Sequence, residues 1–410
     1  MRHISLCLLL SSSLLQIVFG QLFQLSYSYG YVLTVSSGKT LGVDRIGMMN
    51  KINLIAPINQ LGYGLVGLNI LRTLSGLSEV SFWPIGSPEC DPVHHDLVKR
   101  SIKNSHTPDF SAPCIRIWHQ HDMAQFVGSG PKIGFPIFEL DRFNDVEKHH
   151  LEHLDRILVA SSWAKDVCLE QGVASEQNID VIPLGVDSGI FTSTTQHKLE
   201  TDNKTVFFNC GKWEVRKGHD IIVQAFNKAF SREDNVELWM LCDNIFFSEA
   251  ENLEWENLYT SSNLGDKILI IPRQQSQKEV YNIMRESDCG VFPARAEGWN
   301  LELLEMMACG KHVIATNYSA HTEFCNEQNC LLVEAKEREE AFDGKWFKGQ
   351  GGWAKISEPE IESISKHMQL IHESKQNNTL GVNQAGLDTA KKYSWKNTSQ
   401  EIMNALSKPQ

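Results

Sequence analysis

Positive charge is in short supply: 38 Lys and Arg stand against 50 Asp and Glu, a net charge of −12. That balance excludes a broad electrostatic grip on nucleic acid or on an anionic membrane, so any phosphate must be held locally by a few cations. There is no CxxC, no Cys/His cluster at metal-ligand spacing and no Asp-x-Asp beside an expected strand end, so the sequence supplies no metal site. The ten cysteines form no regular framework. Cys210, Cys242 and Cys289 fall inside or at the end of apolar runs and read as small buried hydrophobes in reducing surroundings. Low-complexity tracts are missing too, and 42% hydrophobic residues with 10 Trp and 19 Phe exclude fibrous and disordered classes.

Long apolar runs are confined to the amino terminus. Ile4 to Phe19 is interrupted by Ser11, Ser12 and Ser13 and is short for a membrane span of about 20 residues. Arg2 before it, and Val18 and Gly20 ahead of Gln21, give it the form of a secretory signal. Residues 1–49 therefore have three readings: a leader outside the working protein, with translation starting near Met49; a signal or anchor; or ordered structure.

At 410 residues the chain exceeds the roughly 250 that one core supports, so at least two domains are expected. From residue 50, short and nearly continuous apolar runs alternate with helical stretches: KINLIAP (51–57), VSFW (80–83), IRIW (115–118), KIGFPIF (132–138), RILVA (156–160) and IDVIP (179–183). Strands buried on both faces of a parallel sheet have this appearance. Residues 192–204, TSTTQHKLETDNK, read as a polar linker. A second series follows: TVFFNC (205–210), VELWMLC (236–242), KILIIP (267–272), CGVFP (289–293), HVIAT (312–316) and CLLV (330–333). The expected fold class is α/β, with two doubly wound, Rossmann-like parallel-sheet domains facing a cleft and the ligand at the carboxyl ends of the strands. The boundaries are 50–197 for an acceptor-side domain and 198–380 for a donor-side domain. Helices at 381–410 are expected to pack back towards the first.

Candidate chemistry lies in loops after strands. LGYGLVGLN places Gly62, Gly64 and Gly67 where a helix opens, a form suited to an anion or simply to a tight turn. GKWEVRKGHD brings Lys212 and Lys217 around a second turn as fixed positive charge for a departing diphosphate, or else Arg216 and Lys217 form a solvated basic corner. In ARAEGWNLELLEMMACGKHVIATN, Glu297 precedes a helix and Glu305 lies within it, with seven residues between. Gly298, Trp299, Asn300 and Leu301 set successive N–H groups at that helix start, and Glu305 is suited to the paired hydroxyls of a ribose.

In order and spacing, GKWEVRKGHDIIVQAF, EGWNLELLEMMACGKHVIAT and YSWKN resemble the second domain of retaining glycosyltransferases of group 1, family 4, which have the GT-B architecture. IDVIPLGVDSGIF resembles the interdomain boundary of that family, and the likeness runs over about residues 50–408. The resemblance implies transfer of a hexose of the mannose or glucose type from a nucleotide-sugar, with retention and no obligatory metal or resident cofactor. It puts Lys212 and Lys217 on the donor diphosphate, Glu297 at the transferred sugar, Glu305 at the ribose, and the Gly62 and Gly64 backbone near the phosphate. The family's first-domain His has two candidates here, His119 and His121, with His121 preferred. The competing strand KIGFPIFELDRF offers Glu139 and Asp141 instead. Arg273 is placed either to meet the nucleobase or to stay on the surface. Trp299 and Asn300 stand where the family commonly has an aromatic followed by Gly, which leaves the sugar open.

The acceptor on this reading is a glycan, a lipid-linked molecule or a protein, and a lipid-linked one would bring the enzyme to a membrane surface. Sequons at Asn203, Asn317, Asn377 and Asn397 include one beside the expected donor site, which argues for the cytoplasm. A GT-B epimerase or phosphorylase would share the fold. A non-catalytic two-domain sugar binder would share the layout but gives no reason for the Lys and Glu spacing.

Overall fold

A computed structural model describes residues 31–34, 42–45, 51–193 and 204–408. The run Ile4 to Phe19 and most of the polar linker (194–203) lie outside the described residues. The chain divides into two units between Asn50 and Lys51. The first holds an antiparallel pair, β1 (Tyr31–Thr34) and β2 (Gly42–Arg45), with Tyr31 opposite Arg45.

In the second unit, every apolar run read as a strand is one. The first sheet contains β3 (Lys51–Ala56), β4 (Glu79–Pro84), β5 (Cys114–Trp118), β6 (Lys132–Pro136), β7 (Arg156–Val159) and β8 (Ile179–Val181). All are parallel, in the order β4-β3-β5-β6-β7-β8. The second contains β9 (Thr205–Gly211), β10 (Val236–Cys242), β11 (Ile268–Ile270), β12 (Cys289–Phe292), β13 (His312–Thr316) and β14 (Leu331–Val333). These too are parallel, in the order β11-β10-β9-β12-β13-β14. The central strands are covered on both faces: in β3, Ile52, Asn53, Leu54 and Ile55 are all buried. Strand order reverses between β3 and β5 and again between β9 and β12. At such switch points the crevice beyond the strand ends takes ligands in open α/β sheets. The loops there are the ones singled out above.

The helices are α1 (Gly62–Leu74), α2 (His95–Asn104), α3 (Asp145–Glu152), α4 (Ser162–Glu170), α5 (His219–Ala229), α6 (Glu249–Thr260), α7 (Gln277–Met284), α8 (Leu301–Ala308), α9 (Glu358–Gln376), α10 (Gln384–Lys392) and α11 (Trp395–Leu406). In α5, Ile221, Ile222, Ala225, Phe226 and Ala229 are buried in the second-sheet core, each large side chain contributing about 1.5–3 kcal/mol. The last helix, α11, lies on α1 of the first domain. There Ser399 Oγ is 2.6 Å from Thr73 Oγ1, and Thr398 Oγ1 donates to Pro183 O at 2.8 Å.

One element has no counterpart in the sequence reading. β15 (Arg338–Phe342) and β16 (Lys348–Ala354) form an antiparallel hairpin. REEAF and KGQGGWA lack an apolar run, and Gly349 and Gly351 have φ of 92° and 77°, so neither period nor propensity announces strands. Among the described residues all cysteines are free thiols, buried except Cys90, and no helix is long and apolar enough to cross a membrane.

Candidate active site

The loop after β9 begins at Gly211 (φ 137°) and ends at Gly218 (φ 73°), which caps α5. A Cβ on Gly218 would stand 2.1 Å from Pro293 O, so glycine lets this loop touch the one after β12. Trp213 is fully buried and stacks on Trp255 with 5.8 Å between ring centroids. Beneath it, His219 Nδ1 accepts from the Glu214 N–H at 3.0 Å, and its Nε2 donates to Asn209 Oδ1 at 3.0 Å. Burial, followed by the Lys217 charge, lowers His219 to about 3, so it is a neutral scaffold residue.

On this scaffold the cations meet carboxylates. Lys217 Nζ lies 2.9 Å from Glu297 Oε1, and Arg216 Nη1 lies 2.8 Å from Oε2. Arg216 Nη2 is 2.7 Å from Glu214 Oε2, whose other oxygen takes Lys212 Nζ at 2.7 Å. Glu139, from the loop after β6 of the first domain, completes the group at 3.8 Å from Arg216. Burial pushes the Glu297 carboxyl up, but Arg216 and Lys217 outweigh it and hold it well below the usual carboxylate range. The Glu297 backbone is fixed as well: its N–H donates to Ser319 Oγ at 2.8 Å, and its carbonyl accepts from Ala320 N at 3.2 Å. Glu139 differs, because burial raises it despite Arg216.

Gly298 stands against the first domain, where an added Cβ would fall 2.5 Å from Ile137 Cγ2. Trp299 turns its ring into the core beside Phe324 and Tyr393, at 4.9 and 5.7 Å between centroids, so only its backbone is left for a donor. Asn300 takes φ 81°, which explains why glycine suits this position. Its Oδ1 accepts the Leu303 N–H at 3.1 Å, capping α8, and its Nδ2 donates to His321 Nε2 at 2.9 Å. The Asn300 side chain is therefore spent on the fold, its cap taking the Leu303 N–H beyond the four N–H groups expected at the helix start.

Glu305, on α8, is 8% exposed, and among the described residues its carboxylate has no hydrogen-bond or ion-pair partner. Burial, then Glu302 and Asp187, pushes it well above the ordinary value. It lines a pocket with Leu301, Gln277, Asn59, Gln60 and Asn69, drawn from both domains. Arg273 sits after β11 and pairs with Asp243 at 3.2 Å.

In the first domain, Gly62 has open space where a Cβ would stand, and Leu61 gives α1 no side-chain cap, so the helix start is free to receive a ligand. Gly64 serves packing: its Cβ would meet Asn59 N and O at 2.3 and 2.4 Å. Gly64→Ala is expected to cost about 1–3 kcal/mol through this overlap, read as a lower thermal midpoint. The Tyr63 hydroxyl donates to Ile137 O at 2.5 Å and accepts from its N–H at 3.2 Å, bracing the β6 loop. His119 packs on the Tyr63 ring at 4.7 Å, and burial, with His121 and Lys212 adding to it, lowers it to about 4. His121 is exposed and stacks on His119 at 5.3 Å. Among the described residues it makes no hydrogen bond or ion pair with the second domain, so the first-domain side chain brought into the charge cluster is Glu139. Asp141 is drawn away to the hairpin, its Oδ1 accepting the Gly352 N–H at 2.7 Å.

Glu214, Arg216 and Tyr63 were not expected at the site. The basic-corner alternative for the Lys212–Lys217 loop fails at Arg216, which is buried with its guanidinium among three carboxylates. A signal existed in WEVRK, where a charged pair two residues apart is interleaved with the apolar Trp213 and Val215.

Residues 204–345 match the family model described as glycosyl transferases group 1. That stretch is similar to a group 1 glycosyl transferase domain. Among curated relatives, the D-inositol 3-phosphate glycosyltransferase of Paenarthrobacter aurescens is 28% identical over 167 residues, 39% of this chain and 40% of that protein. The chain thus spans about two fifths of the length of this relative. Beyond the matched stretch the architecture is shared more widely. A glycosyltransferase of Rickettsia africae superposes with a TM-score of 0.62 at 15% identity, covering 88% of this chain and 99% of that one. Anabaena HepE in complex with UDP and glucose gives 0.64 at 14%, covering 87% and 99%. The fold is GT-B, two Rossmann-like domains about a cleft.

Proposed function

We propose that this protein is a retaining hexosyltransferase that takes a sugar from a nucleotide-sugar and joins it to an acceptor hydroxyl. The observation that carries this reading is the contrast within one stretch of chain at the β9/β12 switch point. Glu297 is ion-paired and fixed among cations, while Glu305, within the helix that follows, is buried in a pocket with no partner. A donor lying across α8 would set its ribose hydroxyls on Glu305, its diphosphate by Lys212 and Lys217, and its sugar by Glu297. The open start of α1 at Gly62 would face the phosphate from the other domain.

Departure of the diphosphate builds negative charge. Lys212, Arg216 and Lys217 supply positive charge from side chains already held in place, with no reorganisation needed as the bond breaks. The acceptor hydroxyl would attack the face that the diphosphate leaves, its proton passing to the departing phosphate oxygen. Closure of the domains would exclude water from the donor. On this reading no metal or resident cofactor is needed, and the acceptor is met by the first domain.

The test is thermal unfolding with and without UDP, GDP and ADP sugars, UDP-glucose first. A ligand at about a hundred times its dissociation constant adds roughly 2.7 kcal/mol, a shift of several degrees. A shift with one nucleotide that disappears in Lys212→Ala supports the donor site. No shift with any of them, in folded protein, removes it.

A further inference from the structure

The hairpin β15–β16 belongs to the second domain by sequence and by attachment. Its Ala354 N–H donates to Arg295 O at 2.9 Å, Arg295 Nε meets Glu339 at 2.8 Å, and the Arg295 N–H donates to Arg216 O at 2.7 Å. Its turn is tied down by Lys345 on Glu251 at 2.6 Å. Yet several polar groups of residues 350–353 reach the first domain. Trp353 Nε1 donates to Glu139 O at 3.0 Å, and the Gly352 N–H donates to Asp141 Oδ1 at 2.7 Å. At Gly351 a Cβ would fall 2.5 Å from Asp141 Oδ1.

Gln350 goes further and enters a helix cap. In α3, Asn144 Oδ1 accepts the N–H groups of Val146 and Glu147, and Glu147 Oε2 accepts the Asn144 N–H at 2.8 Å, a reciprocal capping box. Gln350 Oε1 accepts from Asn144 Nδ2 at 2.9 Å, and its Nε2 donates to Arg142 O at 2.8 Å and to Glu147 Oε2. All the polar capacity of this side chain seen here is used across the domain boundary.

We propose that Gln350 is a positioning residue. By completing the α3 capping box from the other domain, it fixes the loop 139–147 and thereby the distance between Glu139 and the Arg216–Glu297 pair at which transfer takes place. This rests on the transferase reading above. The hairpin holds both walls of the site: the Glu139 backbone on one side, and on the other Arg295, which is hydrogen-bonded to Arg216. Loss of the Gln350 contacts leaves donor binding by the second domain intact and loosens the acceptor-side wall against it. Misplacement of about 1 Å can cost a hundredfold in rate, so the effect belongs in turnover and not in donor affinity.

The experiment uses the full chain and compares wild type, Gln350→Ala, Gln350→Glu, and Gln350→Glu combined with Glu147→Gln. In Gln350→Glu two carboxylates face each other across the boundary. The double substitution removes the carboxylate–carboxylate repulsion and keeps a Gln at the third position of the capping box. A carboxylate at 350 cannot donate to Arg142 O as Gln350 Nε2 does, so its rescue is partial. The expected result is that kcat falls about tenfold or more in both single variants, the donor dissociation constant stays within about twofold, and the double variant turns over faster than Gln350→Glu without reaching wild type. Hydrogen exchange without substrate should show protection of residues 141–147 lost in Gln350→Glu and regained in part in the pair. Unchanged kcat in both single variants overturns the positioning role, as does a fall in thermal midpoint with kcat preserved. Unchanged protection of 141–147 overturns the cross-domain contact itself. If wild type binds no nucleotide-sugar, the transferase reading fails, and the exchange measurement still decides the contact.

Discussion

Arg216→Ala is expected to destabilise the protein by about 3–5 kcal/mol, because it leaves the buried Glu214 and Glu297, with the partly exposed Glu139 beside them, without their shared partner. For a domain of this size each kcal/mol moves the thermal midpoint by about 2–4 °C, so a drop on the order of ten degrees should be measurable. The pH dependence should change as well. In wild type the folded-state pKa of Glu297 is depressed, so its contribution to stability is present above the unfolded carboxylate value and is lost as pH falls. Without Arg216 the remaining carboxylates favour protonation, and the deficit of the variant should shrink as pH falls. Thermal unfolding of both proteins across the acid range decides this; a deficit that widens towards acid would show that the carboxylates do not depend on Arg216. Lys217 alone cannot take over, since it reaches only Glu297.

Glu305→Gln should do the opposite to stability while weakening the donor. A buried carboxylate without partners costs the folded chain free energy, so the amide is expected to leave the apo protein as stable or more stable. If Glu305 accepts ribose hydroxyls, the loss of charge should weaken the donor by about 1.5–3 kcal/mol, roughly ten- to a hundredfold in dissociation constant. Here too the sign follows from the shift. The folded-state pKa of Glu305 is raised, so wild-type apo protein gains stability as pH falls and the side chain takes a proton. Donor affinity should rise as pH increases through that pKa in wild type and stay flat in the variant. Titration calorimetry at several pH values reads both, and equal affinities would take Glu305 out of the ribose site.

The two sheets were legible because their strands are buried on both faces, so that runs such as KINLIA and VFFNC carry continuous apolar character and need no partner to be recognised. Glu297 and Glu305 were legible because one helix start fixes their separation. What the sequence could not show was where charges end up once loops from different strands converge. Arg216 is next to Lys217 in sequence and looks no less solvated, yet it is buried because Glu214 and Glu297 approach it from two loops, with Glu139 arriving from the other domain. The resemblance prefers His121 to Glu139, while the structure sets Glu139 and not His121 beside the charge cluster. The difference lies in the turn after β5, which leaves His121 exposed, and in Tyr63, which braces the β6 loop beside the cluster. The hairpin at 338–354 escaped because it is held by backbone and amide contacts across a boundary, and such contacts leave no periodic trace.

The placement of α11 on α1 makes the two domains poor modules. The polypeptide passes from first to second domain and then returns, so part of the surface covering α1 is encoded at the far end of the chain. A hybrid that joined residues 51–193 to the second domain of another enzyme would inherit an exposed apolar face on α1 unless it also carried residues 395–406. Recombination within this architecture therefore has to exchange a split segment, two distant pieces of sequence at once, and a single crossover between the sheets is structurally penalised.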